Sequence, residues 1–420
     1  MARARVAKRE RAALVGLVAG SKRRLEAERS LDELAGLAQA AGAEVVLRVL
    51  QERAKPDAST FLGSGKIKTL AASCAETRAD LVVFDNELTP AQLRQIEEEV
   101  GCKIIDRTQL ILDIFAQRAQ SKDGKLQVEL AQLKYSLPRL GQKDDSLSRL
   151  TGGIGGRGPG ETKLEIGRRR AKERVSHLED QLKTLTKQRQ QRRRRRDRLE
   201  VPIVAIVGYT NAGKSTLLNT LTYSDVLAED KLFATLDTRS RRLRFPEERE
   251  VVITDTVGFI RDLPKDLFAA FRATFEETAD ADLILHVVDA ADAAKQKHIE
   301  TTEKLLSELS LEGIARLLVF NKIDLISPPE AEAMRRQHPD AMFISAMNRE
   351  TTRALLDRIA ALLAHRWAEA AQVPHEPAAV VEEDAPHEAS ESEADENSLT
   401  TLEELVGKSR RSRHRSQAPV

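Results

Sequence analysis

A glycine-rich octet constrains the fold of this chain more than any other feature of its sequence. The octet, Gly208-Tyr-Thr-Asn-Ala-Gly-Lys-Ser215, follows an apolar, β-branched run at 201–207 and precedes a helical pattern at 215–221. A strand, a glycine loop and a helix N-terminus point backbone N–H groups and the positive end of a helix dipole at one place, which suits phosphate oxygens. The spacing matches G-x-x-x-x-G-K-[ST] and predicts a P-loop α/β domain with a doubly wound, mostly parallel sheet.

The chemistry of such a loop assigns roles to its residues. We expect Lys214 to reach the β- and γ-phosphates of a nucleotide and the Ser215 hydroxyl to bind Mg²⁺. The predicted nucleotide contacts of the loop are Gly208, Tyr209, Thr210, Asn211, Ala212, Gly213, Lys214, Ser215 and Thr216.

A second motif predicts which base is bound. Asn321-Lys-Ile-Asp324 follows the apolar run 315–320, at the carboxyl end of a predicted parallel strand, where open α/β sheets bind ligands. The Asp324 carboxylate can accept hydrogen bonds from the guanine N1–H and exocyclic amine, whereas adenine offers no such pair. A surface turn is the alternative, but the order after a phosphate loop favours guanine and therefore GTP. The predicted base contacts are Asn321, Lys322, Ile323 and Asp324, with Ser345, Ala346 and Met347 presenting backbone amides to the guanine O6.

The stretch between these motifs predicts the metal and switch residues. The strand pattern 251–254 leads to Asp255, which would hold Mg²⁺ through water, and the Gly258 amide would sense the γ-phosphate. Thr235 is the candidate switch threonine, with Thr238 as its rival. The predicted metal ligands are Ser215, Thr235 and Asp255, and the predicted catalytic residues are Lys214, Thr235 and Gly258. Further nucleotide contacts are predicted at Phe233, Ala234, Thr235, Leu236, Asp237, Thr256, Val257 and Gly258.

Longer strings resemble the HflX-type ribosome-associated GTPases across residues 11–365. In the GTPase region they are Leu232-Phe-Ala-Thr-Leu-Asp237 and Asp255-Thr-Val-Gly-Phe-Ile-Arg-Asp-Leu-Pro264. Before it they are Phe61-Leu-Gly-Ser-Gly-Lys66, Phe84-Asp-Asn-Glu-Leu-Thr-Pro90, Asp106-Arg-Thr-Gln-Leu-Ile-Leu-Asp-Ile-Phe115 and the glycine-rich stretch 152–162. The resemblance implies a Mg²⁺-dependent GTPase that binds the large ribosomal subunit and its rRNA and that splits or rescues stalled ribosomes.

The same resemblance leaves two features of the nucleotide site open. Thr238-Arg-Ser240 departs from the proline expected soon after Asp237, which affects the switch geometry. Asn211 matches the position of an asparagine that helps to bind K⁺ in several potassium-activated GTPases. We therefore expect K⁺ as a candidate second cation, with a bracing role of Asn211 in the loop as the alternative.

The chain of 420 residues is too long for one core and predicts several domains. We expect an N-terminal α/β domain at 1–120, a helical hairpin with a glycine-rich loop and a basic helix at 121–199, the GTPase domain at 200–371 and a disordered acidic-then-basic tail at 372–420. Strand and helix patterns alternate from 44 to 106, which predicts a small parallel α/β unit. The first twenty residues are also similar to a short signal peptide, but an opening strand is the favoured interpretation because a helical pattern follows at once.

Two leucine-rich stripes, at 126–137 and 175–185, have helical spacing and predict an antiparallel helical hairpin. Residues 151–200 carry sixteen Lys and Arg against seven Asp and Glu, so the exposed side of the second helix could neutralise RNA phosphates. Glycines between 152 and 160 allow close approach to another surface. With the resemblance they indicate a probe for ribosomal RNA, and a plain linker is the alternative.

Other functions stay open at this stage. The string 61–66 is too short for a second phosphate loop, but glycines before a helix can bind an anion, so ATP at the N-terminal domain and an RNA-remodelling ATPase are alternatives. A signalling GTPase with protein partners only is another. Cys74 and Cys102 indicate neither a disulfide scaffold nor a metal site. No apolar run approaches the ~18 residues of a membrane span; we expect a cytoplasmic monomer, with partial membrane association left open.

Overall fold

A computed structural model of the chain describes residues 9–19, 24–139, 163–197, 201–222, 232–233, 238–245, 249–261 and 278–370. Within these ranges the side chains at 19, 163–164, 189–197 and 369–370 are left out of the description. Several predicted features fall outside the described residues: the switch stretch 234–237, the glycine-rich stretch 152–162 and the tail 372–420.

The N-terminal domain is built on a four-stranded parallel sheet in the order β2-β1-β3-β4. The strands are β1 (Arg11–Ala19), β2 (Glu44–Arg53), β3 (Leu81–Phe84) and β4 (Lys103–Asp106). They alternate with helices α1 (Arg24–Ala40), α2 (Ser64–Thr77) and α3 (Pro90–Val100). The predicted small parallel α/β unit is confirmed, and the apolar stretch near the N-terminus forms β1, one of its two inner strands.

Local sequence signals explain where the N-terminal helices begin and end. Thr89 caps α3 through a reciprocal capping box with Gln92, and Pro90 occupies the first helical position. Gly101 ends the same helix with φ 76°, a left-handed conformation that glycine adopts without strain. β3 is buried along its whole length because helices cover both faces of the sheet.

Two helices extend from this domain and pack against one another. These two helices are α5 (Lys122–Ser136) and the long α6 (Lys163–Asp197). α5 follows α4 (Arg107–Arg118), and a 3-10 turn at Leu137–Arg139 follows α5. Leu178 of α6 is fully buried, and ion pairs join Arg174 to Glu129 at 2.7 Å and Lys134 to Glu179 at 2.8 Å. The predicted pairing of the two leucine-rich helices is confirmed.

The C-terminal domain has a six-stranded sheet in the order β10-β9-β8-β5-β7-β6. The elements are β5 (Ile203–Gly208), α7 (Lys214–Thr222), β6 (Arg239–Arg244), β7 (Glu250–Asp255), β8 (Leu283–Asp289), α8 (Lys295–Glu308), β9 (Ala315–Asn321), α9 (Pro328–Gln337), β10 (Met342–Phe343) and α10 (Arg349–Ala370). All pairings are parallel except that of the edge strand β6 with β7. The predicted mostly parallel P-loop sheet is confirmed.

The edge strand and the last helix complete the sheet of this domain. β6 starts at Arg239, so Thr238 lies directly before it. Antiparallel pairing with β7 extends the strand to this point, because Arg239 pairs with Asp255. Trp367 packs the end of α10 against the sheet, with its ring 5.6 Å from that of Phe245 and its Nε1–H donating to Glu250 O at 3.1 Å.

One buried apolar cluster spans both domains. Leu37 of α1 and Phe115 of α4 belong to the same cluster as Tyr209, Phe233 and Phe259. The rings of Phe115 and Phe233 meet edge to face, with centroids 4.7 Å apart. The segments around the phosphate loop therefore share a core with the N-terminal domain. Within the described part of the chain, no helix is long and apolar enough to cross a membrane.

Candidate nucleotide site

The phosphate loop has a backbone that its glycines make possible. Gly208 has φ 151°, and a Cβ atom there would lie 2.1 Å from Val287 O. Gly213 has φ 89°, and its Cβ would lie 2.3 Å from Asn321 Nδ2. Any side chain at either position would collide with a fixed neighbour, so both glycines are required by contact as well as by conformation.

Lys214 opens α7 and is buried beneath its own loop. Its ammonium donates to Tyr209 O at 2.9 Å and to Gly208 O at 3.2 Å. Burial lowers the pKa of Lys214 to about 8, and Asp255 opposes this shift. A group held this way gains from an incoming phosphate, because the anion favours the charged form that burial disfavours.

Ser215 and Asp255 bring two oxygen ligands together. The Ser215 hydroxyl donates to Asp255 Oδ2 at 2.6 Å, although the two residues come from α7 and β7. Hydroxyl and carboxylate oxygens are ligands that Mg²⁺ prefers. The pair fits the predicted metal position, and Asp255 is fully buried, as a metal-side acid at the end of a central strand should be.

Asn321 joins the phosphate loop to the segment that contains Ser345 and Ala346, which is predicted to contact the base. Its Nδ2 donates to Ala212 O at 2.9 Å, and its Oδ1 accepts the Ala346 N–H at 2.8 Å. Asp324 is exposed in a 3-10 turn after β9, while Ser345 and Ala346 are buried and Met347 is 82% exposed. Lys322 has φ 63° and pairs with Asp289 at 2.8 Å. The structure thus brings the two predicted base-reading segments to one edge of the sheet.

The segment after β7 is joined to the phosphate loop through its backbone. Thr210 N–H donates to Phe259 O at 2.8 Å, and Phe259 N–H donates to Gly208 O at 3.0 Å. A Cβ on Gly258 would lie 3.0 Å from Lys214 Nζ, so the Gly258 backbone comes as close to the Lys214 ammonium as glycine allows. Phe259 itself is 3% exposed and faces the shared apolar cluster.

The N-terminal domain contributes an acid that sequence reasoning missed. Glu33 of α1 accepts the Tyr209 hydroxyl at 2.6 Å and the Arg261 Nε–H at 2.5 Å. The Arg261 backbone N–H donates in turn to the Tyr209 oxygen at 3.0 Å. Burial, and then Glu33, raises the pKa of Tyr209, so the phenol keeps its proton and serves as a donor. No local pattern in the sequence could link residues so far apart in the chain.

A second layer of charges holds Glu33 in place. Arg107 lies 3.2 Å from Glu33 and 2.9 Å from Asp85, and its side chain is only 5% exposed. Burial lowers the pKa of Arg107, but the Glu33 and Asp85 carboxylates raise it above its ordinary value. On the other side, the His298 ring stacks on Tyr209 with centroids 3.7 Å apart. The network borders an open pocket of about 890 Å³ between the domains, lined by residues that include Glu33, Arg261 and His298.

The remaining predicted site residues differ in burial, and four of them lie outside the described residues. Thr210, Thr256 and Val257 are buried around the loop, and Asn211 is exposed with φ 61°. Phe233 is buried against Phe115, so it packs between the domains. Ala234, Thr235, Leu236 and Asp237 lie outside the described residues.

Comparisons with known proteins agree with this geometry. Three family models match the chain: GTP-binding GTPase N-terminal at 28–116, GTP-binding GTPase Middle Region at 118–196 and 50S ribosome-binding GTPase at 203–322. GTPase HflX of Caldanaerobacter subterraneus is 49% identical over 84% of this chain and 80% of that protein. GTPase HflX of Escherichia coli K12 is 46% identical over 75% of each chain. A solved GDP complex of a protein called SsGBP has 23% identity and a TM-score of 0.48, covering 85% of this chain and 99% of that one.

The fold and the site together define a P-loop GTPase with an additional N-terminal α/β domain. The similarity to the bacterial relatives spans most of both chains and includes the N-terminal and middle regions. The chain therefore belongs to the HflX family of GTPases, and its enzymatic activity is the hydrolysis of GTP.

Proposed function

We propose that this GTPase binds the large ribosomal subunit through rRNA and, in its GTP form, splits or rescues stalled ribosomes. The observation that carries the proposal is a basic helix attached to the domain that contacts Phe233 and Arg261, which lie next to the predicted switch segments. α6 exposes Arg168, Arg170, Lys172 and Lys187, none of which has an ion pair with a described residue. Unpaired cations on one helix can neutralise a series of RNA phosphates.

The nucleotide-site roles are part of the same proposal. Lys214 and the loop amides hold the phosphates, Asn321 and Asp324 select guanine, and Gly258 senses the γ-phosphate through its amide. Ser215, Asp255 and Thr235 would hold Mg²⁺, which when bound neutralises charge on the phosphates. Phe259 can neither donate nor accept a hydrogen bond from its side chain, so intrinsic hydrolysis is slow and needs a group supplied from outside.

The contact between Arg261 and Glu33 supports a coupling between the bound nucleotide and RNA binding by the N-terminal domain. A γ-phosphate that attracts the Gly258 amide would move the backbone three residues before Arg261. Because Arg261 is paired with Glu33, that movement reaches α1 and the rest of the N-terminal domain. The domain carries α5 and α6, so its position decides whether the basic helix can meet RNA.

Cosedimentation with separated ribosomal subunits tests the proposal. The protein is expected to pellet with large subunits in a non-hydrolysable GTP analogue and to bind more weakly in GDP. The double substitution Arg168→Glu/Arg170→Glu should weaken binding and reduce the slope of log affinity against log salt by roughly 0.7 to 0.9 per lost phosphate contact. Splitting of whole ribosomes, followed by light scattering, should be reduced in parallel.

A matched control uses a basic pair on the GTPase domain. Arg353→Glu/Arg358→Glu changes the same charge on the exposed side of α10, far along the chain from α6. It should leave ribosome binding unchanged. Binding that is insensitive to salt and to the α6 substitutions would contradict the RNA contact and favour a GTPase with protein partners only.

An ATP-linked activity of the N-terminal domain is a second candidate, favoured by Gly63 at the start of α2. The Arg53 guanidinium lies 2.9 Å from the position of a Cβ on Gly63, so a cation and a helix N-terminus meet there. The Gly63 N–H already donates to Gln51 at 3.0 Å, which an anion would have to displace. Lys214→Ala should abolish GTP turnover; ATP turnover that survives this change would assign it to the N-terminal domain.

The cation, the cellular location and the oligomeric state complete the proposal. K⁺ at Asn211 is proposed as an additional activator of hydrolysis. Because the partner is the ribosome, we infer a cytoplasmic protein acting as a monomer, with any membrane association secondary to ribosome binding.

A further inference from the structure

The chain contains two cysteines, and the fold brings them together. Cys74 lies in the last turn of α2, and Cys102 lies directly before β4. Both pack in one apolar cluster of the N-terminal domain, and the two thiols lie close enough for each to shift the pKa of the other. Neither belongs to the nucleotide site.

The backbone fixes this contact. Ala79 N–H donates to Cys74 O at 2.9 Å, which closes the end of α2 just before β3 begins. Leu81 pairs with Lys103 at the start of the parallel β3–β4 ladder, so the residues that precede the two strands lie side by side. The end of α2 and the turn before β4 therefore meet at the amino edge of the sheet.

The two thiols have different environments. Cys74 is 3% exposed, whereas Cys102 is half-buried. The neighbouring Cys74 thiol lowers the pKa of Cys102, while burial and the carboxylates of Asp80 and Glu97 act in the opposite direction. The Cys102 thiol, and then burial, raises the pKa of Cys74. Cys102 is thus the thiol that ionises first and that a small solute can reach.

We propose that Cys74 and Cys102 form a reversible redox pair, which closes to an intramolecular disulfide when the protein meets a peroxide. The Cys102 thiolate attacks one oxygen of hydrogen peroxide, giving a sulfenic acid and hydroxide. The Cys74 sulfur, having lost its proton, then attacks the Cys102 sulfur and expels the second hydroxide as the S–S bond forms. The two thiols lose two electrons and two protons, and the peroxide is reduced to two waters.

The bond has a defined structural consequence. It ties α2 to β4 and encloses β3 and α3 in a covalent ring. The ring includes Asp85, which holds Arg107 and through it Glu33. Because a cross-link limits the unfolded chain more than the folded one, the oxidised N-terminal domain resists heat better than the reduced one.

Peroxide treatment of the folded full-length protein, followed by unfolding in denaturant and alkylation with N-ethylmaleimide, tests the pair. The reduced protein takes up two labels. After peroxide it should take up none, lose about 2 Da, corresponding to two hydrogens, and yield one peptide that joins Cys74 to Cys102. Dithiothreitol should restore both labels. The melting temperature should rise by several degrees on oxidation.

Single variants distinguish the roles of the two thiols. Cys74→Ser should stop the reaction at a sulfenic acid on Cys102 that dimedone traps, and Cys74→Ala gives the same test if serine disturbs the core. Cys102→Ser should leave Cys74 unreactive to peroxide. Two labels after peroxide, over-oxidation of Cys102 without a cross-link, or a cross-link between two chains would each overturn the proposal.

Discussion

At the level of single residues, Asp324 combines exposure with a fixed position after β9, so a base edge can approach its carboxylate. Asp324→Asn should shift preference from guanine to xanthine nucleotides by on the order of 10²-fold or more, because the amide can donate where xanthine carries an oxygen. Competition between GTP and XTP in a hydrolysis assay measures this. Asp324→Ala is the control, since it should lose GTP without gaining XTP. Full retention of GTP preference in the asparagine variant would contradict the base-reading role.

The backbone conformation of Asn211 determines which substitution tests its proposed role in binding K⁺. With φ 61° it occupies the left-handed region, which asparagine and glycine tolerate better than alanine. Hydrolysis should be faster in KCl than in NaCl at equal ionic strength, and Asn211→Gly, which keeps the backbone, should lose this difference. An arginine in the corresponding catalytic role is worth roughly 10³ to 10⁵ in rate, and a cation should give less. If Asn211→Gly keeps the potassium effect, the side chain only braces the loop.

Motif spacing predicted most of the residues that surround the phosphate loop. Gly208, Lys214, Ser215, Asp255 and Asn321 meet as expected because each lies at the end of a strand or the start of a helix. Glu33 could not be predicted in this way. Its role depends on the packing of α1 against another domain, and nothing in the helix pattern of α1 marks one acid among several.

At the level of elements, the Glu33 contact is the charged part of the interface between α1 and the segment after β7. Glu33→Gln keeps the size of the side chain but leaves Arg107 and Arg261 without their shared carboxylate. We expect a loss of about 1–3 kcal/mol in the free energy of unfolding, measured with urea, because Glu33 is 14% exposed and partly screened. Glu52→Gln is the matched control.

That control removes the carboxylate of Glu52, a partner of Arg24; the Glu52 side chain is 60% exposed. Its effect should be close to zero. Equal effects of the two substitutions would show that the interface charge contributes no more than a surface ion pair. A double-mutant cycle with Tyr209→Phe should reveal a coupling of about 1 kcal/mol through the shared hydrogen bond.

Because His286 in β8 is buried, we expect the stability of the protein to depend on pH. His286 is 4% exposed, its Nε2 has no hydrogen-bond partner among the described residues, and burial lowers its pKa to about 4, with Arg316 adding to the effect. A folded pKa below the unfolded value of ~6.5 means that the unfolded chain binds the extra proton first. The stabilisation that comes from burying His286 in its neutral form is therefore complete above pH ~6.5. It is lost as the pH falls toward 4, and the free energy of unfolding decreases by about 3 kcal/mol in total.

Urea unfolding of wild type and His286→Leu between pH 7 and 4.5 checks this prediction. The leucine variant should show a shallower loss of stability with acid, by about one proton per molecule. Identical slopes would mean that His286 is protonated or hydrated in the folded protein.

Element types and order were predictable from periodicity, since strands buried on both faces read as short apolar runs between glycine and helical patterns. β6 was the exception. Its sequence, Arg-Ser-Arg-Arg-Leu-Arg, has one apolar residue, and only antiparallel pairing with β7 extends it to Arg239. An exposed edge strand needs no apolar face, so its start left no signal in the sequence.

At the level of the whole molecule, the stretch 152–160 offers a test of whether GTP hydrolysis and ribosome contact depend on different parts of the chain. It lies outside the described residues and outside every nucleotide motif. Its deletion should leave basal GTP hydrolysis unchanged but remove ribosome stimulation and splitting. Replacement by a serine-glycine segment of equal length controls for connection length. Normal splitting by the deletion variant would reduce the stretch to a linker.

The apolar cluster shared by the two domains also has a consequence for synthesis of the chain. Leu37 and Phe115 leave the ribosome long before Phe233, Phe259 and Leu306 exist to cover them. At ~5–20 residues per second, that interval is on the order of ten seconds. The N-terminal sheet can fold during this time, because its strands are close in sequence. The sides of α1 and α4 that carry Leu37 and Phe115 nevertheless stay uncovered, so a nascent chain that pauses between the domains is the form most exposed to aggregation or to capture by a chaperone.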